Sequence, residues 1–198
     1  MFKRLFDFTF SFFGIILLLP IFLIISSVIK SFDPKGPIFF RQIRIGKNGQ
    51  KFKLNKFRTM EVRTGAENGS FDAGNKTIIT PTGSILRKYK LDELPQLFNV
   101  LMGDMSIVGP RPEIKKWTDL YPDKWDIVLK VKPGITDNAS IYYRNEEEIL
   151  SKTIDPEKTY ELEILPKKLD YYIDYVNNNS FWGDIKIIFR TFHIIITK

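Results

Sequence analysis

The hydrophobic and polar positions divide the chain into an apolar N-terminal segment and a longer part of mixed character. The last charged residue before the apolar segment is Asp7 and the next is Lys30, so 22 uncharged residues, mostly aliphatic or phenylalanine, lie between them. A run of this length is sufficient for a helix that crosses a bilayer. It is too long for the core of a typical cleaved signal peptide, and no small-x-small cleavage site follows it. We therefore predict a retained membrane segment over residues 1–31 and one compact domain over residues 32–198.

Pro20 lies in the middle of the apolar segment. A proline inside a helix removes one backbone hydrogen bond and crowds the carbonyl four residues earlier, which predicts a bend or a break there. Basic residues flank both ends of the segment, so the positive-inside bias does not assign the ends to different sides. Two structures fit this pattern: a single span with a proline kink, and a re-entrant helix that returns to the face it entered.

The remaining pattern predicts an α+β domain that is mainly helical. Residues 51–55 alternate between basic or polar and apolar side chains, and together with residues 38–44 they predict a β-hairpin around a glycine-rich turn. Residues 61–80 have the composition of a long surface loop. We predict helices near residues 84–89, 113–130 with an interruption at Pro122, 146–148 onward, 167–176 and 183–197. Residues 132–137 resemble a turn, and residues 139–145 a short strand.

The last predicted helix is amphipathic. Lys186, Arg190, His193 and Thr197 recur at intervals of four, three and four, so they share one face, while isoleucine and phenylalanine cover the others. Such a helix could lie in the membrane interface with its cations towards lipid headgroups, or pack into the core of the domain. The pattern is compatible with both.

Composition narrows the function classes. Lysine and arginine exceed aspartate and glutamate by 30 to 23, which gives a net charge of +7 and a pI of about 9.4. This balance favours a polyanionic partner such as nucleic acid, anionic lipid or a phosphorylated substrate. The chain has no cysteine and its single histidine is His193, so thiolate chemistry is excluded and a Ser-His-Asp triad is hard to build.

Asp92 and Glu93 are the strongest candidates for chemistry. They stand directly after a basic stretch, residues 87–90, and before an apolar run that predicts a short helix. In such a pair one carboxylate could attack phosphorus while the other binds a divalent cation or accepts a proton. Alternatively, Asp92 is the N-cap of that helix and Glu93 interacts with the helix dipole in its first turn.

Several cations are candidate phosphate ligands. Arg111 lies between Pro110 and Pro112, which stiffen its backbone, and a guanidinium held in this way could bind two phosphate oxygens or could simply face water. Lys56 and Arg58 stand near the end of the second hairpin strand, where they could bind phosphate or be solvated. Arg144 lies near the end of the strand-like segment.

The ordered set of motifs resembles the bacterial sugar transferases, also called monotopic phosphoglycosyl transferases, which initiate glycan assembly on a polyprenyl phosphate. The motifs are the apolar segment with its central proline, Lys-Phe-Arg-Thr-Met at 56–60, the stretch from Leu91 to Val100, Gly-Asp-Met-Ser-Ile-Val-Gly-Pro-Arg-Pro at 103–112, and Lys-Pro-Gly-Ile-Thr at 132–136.

This resemblance implies a two-step exchange at the cytoplasmic face of a bacterial inner membrane. Asp92 would attack a UDP-sugar and hold the sugar phosphate until undecaprenyl phosphate takes it, and Glu93 would assist Mg²⁺ or deprotonate the lipid phosphate. Arg87 and Arg111 match phosphate-binding positions, and Asp92 and Glu93 would hold the Mg²⁺. The resemblance also implies a re-entrant N-terminal helix broken at Pro20. The expected partners are the UDP-sugar, undecaprenyl phosphate and membrane lipids, and nucleic acid is not an expected partner. A homodimer is compatible with the sequence.

The chain departs from the family pattern at three places. Leu19 precedes Pro20 where many members have serine, and residues 137–140 replace a common Gly-Trp-Ala-Gln segment. Tyr172, flanked by Asp170 and Asp174, stands where many members have an aspartate. The rival hypothesis is a non-catalytic, membrane-anchored module that binds anionic lipid or nucleic acid through its basic surface.

Overall fold

The computed structural model describes residues 2–61 and 79–197, and within them the fold is mainly helical with two small sheets. The helices are α1 (Phe2–Phe32), α2 (Pro81–Lys88), α3 (Gln96–Met102), α4 (Lys115–Thr118), α5 (Pro122–Val128), α6 (Asn138–Tyr142), α7 (Glu146–Ser151), α8 (Pro156–Thr159), α9 (Leu165–Asn178) and α10 (Phe181–Ile196). The strands are β1 (Phe39–Ile45), β2 (Lys51–Phe57), β3 (Ser106–Val108) and β4 (Gly134–Thr136). The predicted loop at 61–80 falls almost entirely outside the described residues.

Helix α1 packs one stripe of its surface on the rest of the molecule. Its five buried residues, Asp7, Ser11, Phe22, Ile25 and Ile29, lie on a single face at helical spacing. The other faces expose a series of large apolar side chains, including Leu17, Leu23, Ile24 and Phe32. Among the described residues α1 is the one helix that is long and apolar enough to cross a membrane.

Pro20 does not break α1. The helix runs through the proline as one element, so the predicted division into two half-helices is not observed. Leu18 and Phe22, on either side of the proline, both pack against the same apolar cluster, and this packing holds the helix together across the missing hydrogen bond.

Both ends of α1 are tied to the domain. In its first turn, Arg4 donates to two carbonyls at the end of α3, at 2.6 and 2.8 Å, and Asp7 accepts from the Ser106 hydroxyl and the Ile107 amide at 3.0 Å each. Beyond its last turn, the Asp33 carboxylate pairs with Arg58. The helix therefore lies along the domain from end to end.

The predicted hairpin is confirmed: β1 and β2 pair antiparallel, with Phe39 opposite Phe57. The second sheet was not predicted. In it β3 pairs parallel with β4, and Val108 lies opposite Thr136. The backbones of Gly109 and Gly134 approach so closely that a Cβ on Gly134 would lie 2.1 Å from the Gly109 nitrogen.

Two local predictions after Pro133 are wrong. Part of the predicted turn at 132–137 is strand β4, because its backbone pairs with β3, which is distant in sequence. The predicted strand at 139–145 is instead helix α6 followed by a turn. The Asp137 carboxylate accepts from the Ser140 amide at 2.9 Å, so a side-chain cap starts a helix where the apolar alternation had suggested a strand.

The C-terminal helices α9 and α10 contribute buried side chains to the hydrophobic core. Trp117 and Trp125 are almost fully buried and pack with Leu169 and Tyr172 of α9. In α10, Ile187 and Ile188 are buried, whereas the predicted polar face at 186, 190, 193 and 197 is exposed together with Phe189, Phe192 and Ile196. This helix therefore packs on the domain along one side and exposes both cations and apolar side chains on the others.

Candidate active site

The two adjacent carboxylates lie in a tight turn between α2 and α3. Lys90 turns the chain with a positive φ of 56°, and a single 3₁₀ turn follows over Leu91–Glu93. Helix α3 begins only at Gln96, with Pro95 in the N-cap position, so the interpretation of Asp92 as the N-cap is wrong. The turn buries both carboxylates, with Asp92 6% and Glu93 9% exposed.

One oxygen of the Asp92 carboxylate has no partner. Its Oδ1 is buried and accepts no hydrogen bond in the described part of the chain. Burial raises the pKa of Asp92 above its ordinary value, the neighbouring Lys56 lowers it, and the adjacent Glu93 charge raises it again. A buried carboxylate oxygen left open in this way is costly, which is typical of a functional site.

Glu93 is held by two cations. Both terminal nitrogens of Arg111 pair with its carboxylate, Nη1 to Oε2 at 3.1 Å and Nη2 to Oε1, and Lys56 Nζ lies 3.0 Å from Oε1. Burial alone would raise the pKa of Glu93, but the charges of Arg111 and Lys56 outweigh burial and hold this pKa well below its ordinary value. Both of its oxygens are therefore occupied by ion pairs.

The segment around Arg111 is anchored on both sides. The Pro110 carbonyl accepts from the Gly134 amide at 2.9 Å, and the Pro112 carbonyl accepts from Arg44 Nη1 at 3.1 Å. The stiff backbone predicted from the two prolines is thus fixed in place, and its guanidinium points to Glu93 rather than to bulk water. This bidentate pairing raises the pKa of Arg111 well above its ordinary value.

A cavity of about 1000 Å³ opens beside Asp92. Its polar part brings together most of the predicted site residues, namely Lys56, Arg87, Asp92, Glu93, Arg111 and Arg144. Its apolar part is formed by three groups of side chains: Phe10 and Leu18 of α1, Leu97 and Ile107 near α3 and β3, and Ile188, Phe192 and Ile195 of α10. The cavity can therefore contact a charged group and a hydrocarbon group at the same time.

Two of the predicted phosphate-binding arginines, Arg87 and Arg58, pair with carboxylates other than Glu93. Arg87 donates through Nε to the Thr59 hydroxyl at 3.0 Å, and its Nη1 donates to Glu147 at 2.9 Å. Arg58, predicted to bind phosphate, is not among the cavity-lining residues of the described chain. Strand β2 ends at Phe57, and the buried Arg58 guanidinium pairs with Asp33 after α1, so its role is in tying that helix to the hairpin.

A buried polar network behind Arg111 was missed by sequence analysis. Lys168 of α9 donates to Glu146 and to the Tyr160 hydroxyl, at 3.1 Å each, and Tyr160 donates to Glu113 at 2.7 Å. Arg44 completes the network by donating to Glu113 at 3.0 Å. The sequence did contain an indication that Lys168 is buried, because this lysine lies on the face of the predicted helix that carries the apolar residues.

The residues present fit a magnesium ion bound together with substrate. The described residues contain no group of three or more side chains that could hold a metal ion. Mg²⁺ commonly binds through one or two carboxylates and substrate phosphates, with several waters retained. Asp92 has an open oxygen for this purpose, whereas the predicted second ligand, Glu93, has both oxygens in ion pairs.

Comparisons with known proteins agree on one family. The family model described as bacterial sugar transferase matches residues 1–198. The chain is 39% identical over 194 residues to the UDP-glucose:undecaprenyl-phosphate glucose-1-phosphate transferase of Klebsiella pneumoniae. This match covers 96% of the present chain and 39% of the Klebsiella protein. It is 37% identical over 196 residues to the uncharacterized sugar transferase EpsL of Bacillus subtilis, and this match covers 99% of the present chain and 88% of the Bacillus protein.

A third relative is the UDP-N-acetylgalactosamine-undecaprenyl-phosphate N-acetylgalactosaminephosphotransferase of Aeromonas hydrophila, 33% identical over 188 residues, with 92% of this chain and 41% of that protein covered. The chain therefore spans about two fifths of the Klebsiella and Aeromonas relatives and most of the Bacillus one.

Proposed function

Because the chain belongs to the bacterial sugar transferase family, we propose that it is a phosphoglycosyl transferase that moves a sugar 1-phosphate from a UDP-sugar to undecaprenyl phosphate. This would be the first membrane step of capsule, O-antigen, exopolysaccharide or glycoprotein glycan synthesis. The names of the Klebsiella and Aeromonas relatives both combine a UDP-linked sugar with undecaprenyl phosphate. The observation that carries the proposal is the buried, unpartnered oxygen of Asp92 among cations at the head of a large cavity.

In the first step, a carboxylate oxygen of Asp92 forms a bond to the β-phosphorus of the UDP-sugar. The bond between that phosphorus and the bridging oxygen breaks, and UMP leaves with the bridging oxygen and its electron pair. Asp92 then carries the sugar phosphate as an acyl phosphate. Its raised pKa matches a carboxyl group held in a dry site, and the ionised form is the one that attacks.

In the second step, a phosphate oxygen of undecaprenyl phosphate attacks the same phosphorus. The bond to Asp92 breaks, its carboxylate is regenerated, and the product is a diphosphate-linked sugar on the lipid. The apolar part of the cavity, with side chains from α1 and α10, offers a surface for the hydrocarbon chain next to the phosphate.

The cations lower the repulsion between a carboxylate and phosphates. Arg111 and Lys56 are held at the site by Glu93, so Glu93 acts as a positioning residue for two phosphate ligands. Arg87 and Arg144 line the same cavity and extend its positive side. A bound Mg²⁺ would neutralise charge on the diphosphate, with Asp92 as its protein ligand.

We further propose that α1 inserts into the cytoplasmic face of a bacterial inner membrane without crossing it. Both ends of the helix contact one domain, so a single span would require that domain to lie on both sides of the bilayer. An unbroken helix that lies along the domain within one leaflet, with the exposed apolar faces of α1 in lipid, avoids this. The exposed cations of α10 would face lipid headgroups.

Replacing Asp92 by asparagine tests the activity. We expect Asp92→Asn to lower UMP release from UDP-sugars by at least about 10³-fold, because the amide cannot serve as the nucleophile. The assay uses detergent-solubilised protein, Mg²⁺, undecaprenyl phosphate and a panel of UDP-sugars. Asp170→Asn is the matched control, since Asp170 is exposed and pairs with Lys124 on the surface.

Retention of the wild-type rate by Asp92→Asn would disprove the assigned nucleophile. If no UDP-sugar gives UMP with the wild-type protein while anionic vesicles still bind it, the non-catalytic membrane module becomes the better hypothesis. That module does not account for a buried carboxylate pair whose pKa values are shifted in opposite directions.

A further inference from the structure

An ion pair joins two elements of the cavity wall that are distant in sequence. Arg87, in the last turn of α2, donates from Nη1 to Oε1 of Glu147, in the first turn of α7, at 2.9 Å. Both residues line the cavity that contains Asp92. The positive charge of Arg87 is also among the influences that lower the pKa of Asp92, so this arginine acts on the proposed reaction centre.

The other contacts of Arg87 leave one side of its guanidinium for an anion. Its Nε donates to the Thr59 hydroxyl at 3.0 Å, and its Nη2 contacts the Met60 sulfur at 3.3 Å. These neutral partners orient the arginine without neutralising it. Glu147 is the negatively charged group that the structure places on it.

The two glutamates that bind site cations differ in how firmly they are held. The side chain of Glu93 is 11% exposed and pairs with two cations, so its displacement would leave a buried charge without a partner. The Glu147 side chain is 55% exposed, and among the described residues its ion pair is with Arg87. An exposed pair contributes little to stability, and a released Glu147 regains water easily.

We propose that Glu147 competes with the donor diphosphate for Arg87 and thereby sets the affinity for the UDP-sugar. This inference rests on the function proposed above. Before the donor binds, Glu147 occupies the phosphate-facing side of Arg87. When the donor binds, one of its phosphates takes that position and the Glu147 carboxylate turns to solvent. Donor affinity is then the intrinsic affinity of the cationic site reduced by this competition.

Glu147→Gln removes the competing charge and keeps the shape of the side chain. We expect the Kd for UDP, measured by calorimetry in detergent with Mg²⁺, to fall about two- to fivefold, the range that an exposed ion pair allows. UDP carries the diphosphate but no sugar phosphate to transfer, so the measurement does not depend on turnover. The KM for the UDP-sugar should fall by a similar factor, with kcat little changed.

Glu148→Gln is the matched control. It makes the same change of charge one residue away, at a carboxylate that also lines the cavity and pairs with Lys152 at 2.7 Å. A general loss of negative charge near the cavity would affect both variants alike. Competition for Arg87 predicts a clear effect for Glu147→Gln and a small one for Glu148→Gln.

A double-mutant cycle with Arg87→Met isolates the pair. In the Arg87→Met background we expect Glu147→Gln to leave the Kd for UDP unchanged, because the contested cation is gone. The inference is overturned if Glu147→Gln raises the Kd for UDP, or if it changes this Kd by the same factor as Glu148→Gln. It is also overturned if Glu147→Gln keeps its full effect on the Kd in the Arg87→Met background. Failure of the wild-type protein to bind either UDP or inorganic diphosphate also overturns it.

The two proposals fail in different ways. If UMP release depends on Asp92 but Glu147→Gln leaves Kd and KM unchanged, the competition is wrong and the transferase function stands. If the wild-type protein releases no UMP from any UDP-sugar but the cycle still shows coupling for inorganic diphosphate, Glu147 competes with a diphosphate for Arg87 and the transferase function is wrong.

Discussion

At the scale of residues, the surroundings of two neighbouring carboxylates shift their pKa values in opposite directions. Burial raises the pKa of Asp92, whose Oδ1 has no hydrogen-bond partner among the described residues, while Arg111 and Lys56 hold the pKa of Glu93 well below its ordinary value. Pairs whose environments separate their pKa values commonly divide their roles in catalysis. Here the division favours Asp92 as the reacting group and Glu93 as the anchor of the cations.

Lys56 should control the pH at which Asp92 becomes active. Its charge is the largest influence that lowers the pKa of Asp92, so Lys56→Met should raise that pKa further. The attacking form is the carboxylate, and activity is lost as the pH falls through this pKa. We therefore expect the acid limb of kcat/KM for UMP release to move to higher pH in Lys56→Met.

Lys56→Arg keeps the charge and should leave the acid limb close to that of the wild type. An unchanged limb in Lys56→Met, or one moved to lower pH, would contradict the electrostatic link between the two residues.

At the scale of elements, short segments that are distant in sequence hold the site together. The parallel pairing of β3 and β4 brings the Gly109–Pro110 backbone against Gly134 and so places Arg111. Behind it, Lys168 of α9 is 3% exposed and lies between Glu146 of α7 and Glu113, which follows Pro112. Burial alone would lower the pKa of Lys168, but the surrounding negative charges raise it instead.

Lys168→Met should destabilise the protein strongly. The substitution removes the buried cation of Glu146 and leaves Glu113 paired with Arg44 alone among the described cations. Removal of one partner of a buried ion pair costs up to about 3–5 kcal/mol. Thermal unfolding in detergent should show a large decrease of the Tm. Lys167→Met is the control, because Lys167 is exposed and should change the Tm little. Equal Tm values for the two variants would show that the network does not stabilise the fold.

At the scale of the whole molecule, α1 is both the apolar anchor and one wall of the cavity. It is bound near residues 100–107 at its first turn and near Arg58 after its last turn. Between these points Phe10 and Leu18 line the cavity beside side chains of α10. Insertion of α1 in a membrane would therefore place the mouth of the active site next to lipid, where a polyprenyl phosphate would be found.

The absence of cysteine from the sequence makes the topology directly testable. Single cysteines in place of Phe2 and Lys35, both exposed, report on the two ends of α1, and one in place of Leu17 reports on its exposed apolar middle. We expect a membrane-impermeant maleimide to label neither end in intact cells and both ends after lysis, with Leu17→Cys protected until detergent is added. Labelling of only one end in intact cells would refute insertion from one face and support a single span.

The sequence by itself determined the features that are encoded within a few neighbouring residues. The apolar run of α1, the alternation of the hairpin, the stiff backbone of Arg111 and the juxtaposition of Asp92 and Glu93 with basic residues were all visible, because each depends on spacing along the chain. The mainly helical fold followed from the same signals. Two predictions from local sequence were wrong. The Asp137 cap starts a helix where a strand was predicted, and packing on both sides of Pro20 keeps α1 a continuous helix.

Only the tertiary structure decided which charges meet. Glu93 pairs with Arg111 and Lys56, which are 18 and 37 residues away, and Arg58 is withdrawn from the site by Asp33, 25 residues earlier. Lys168 finds its carboxylates through the packing of α9 on two other segments. Ion pairs carry no periodic signal, because their geometry is set by how buried faces fit together. For that reason the sequence could propose the two carboxylates, but the fold alone separated the free one from the one that anchors the cations.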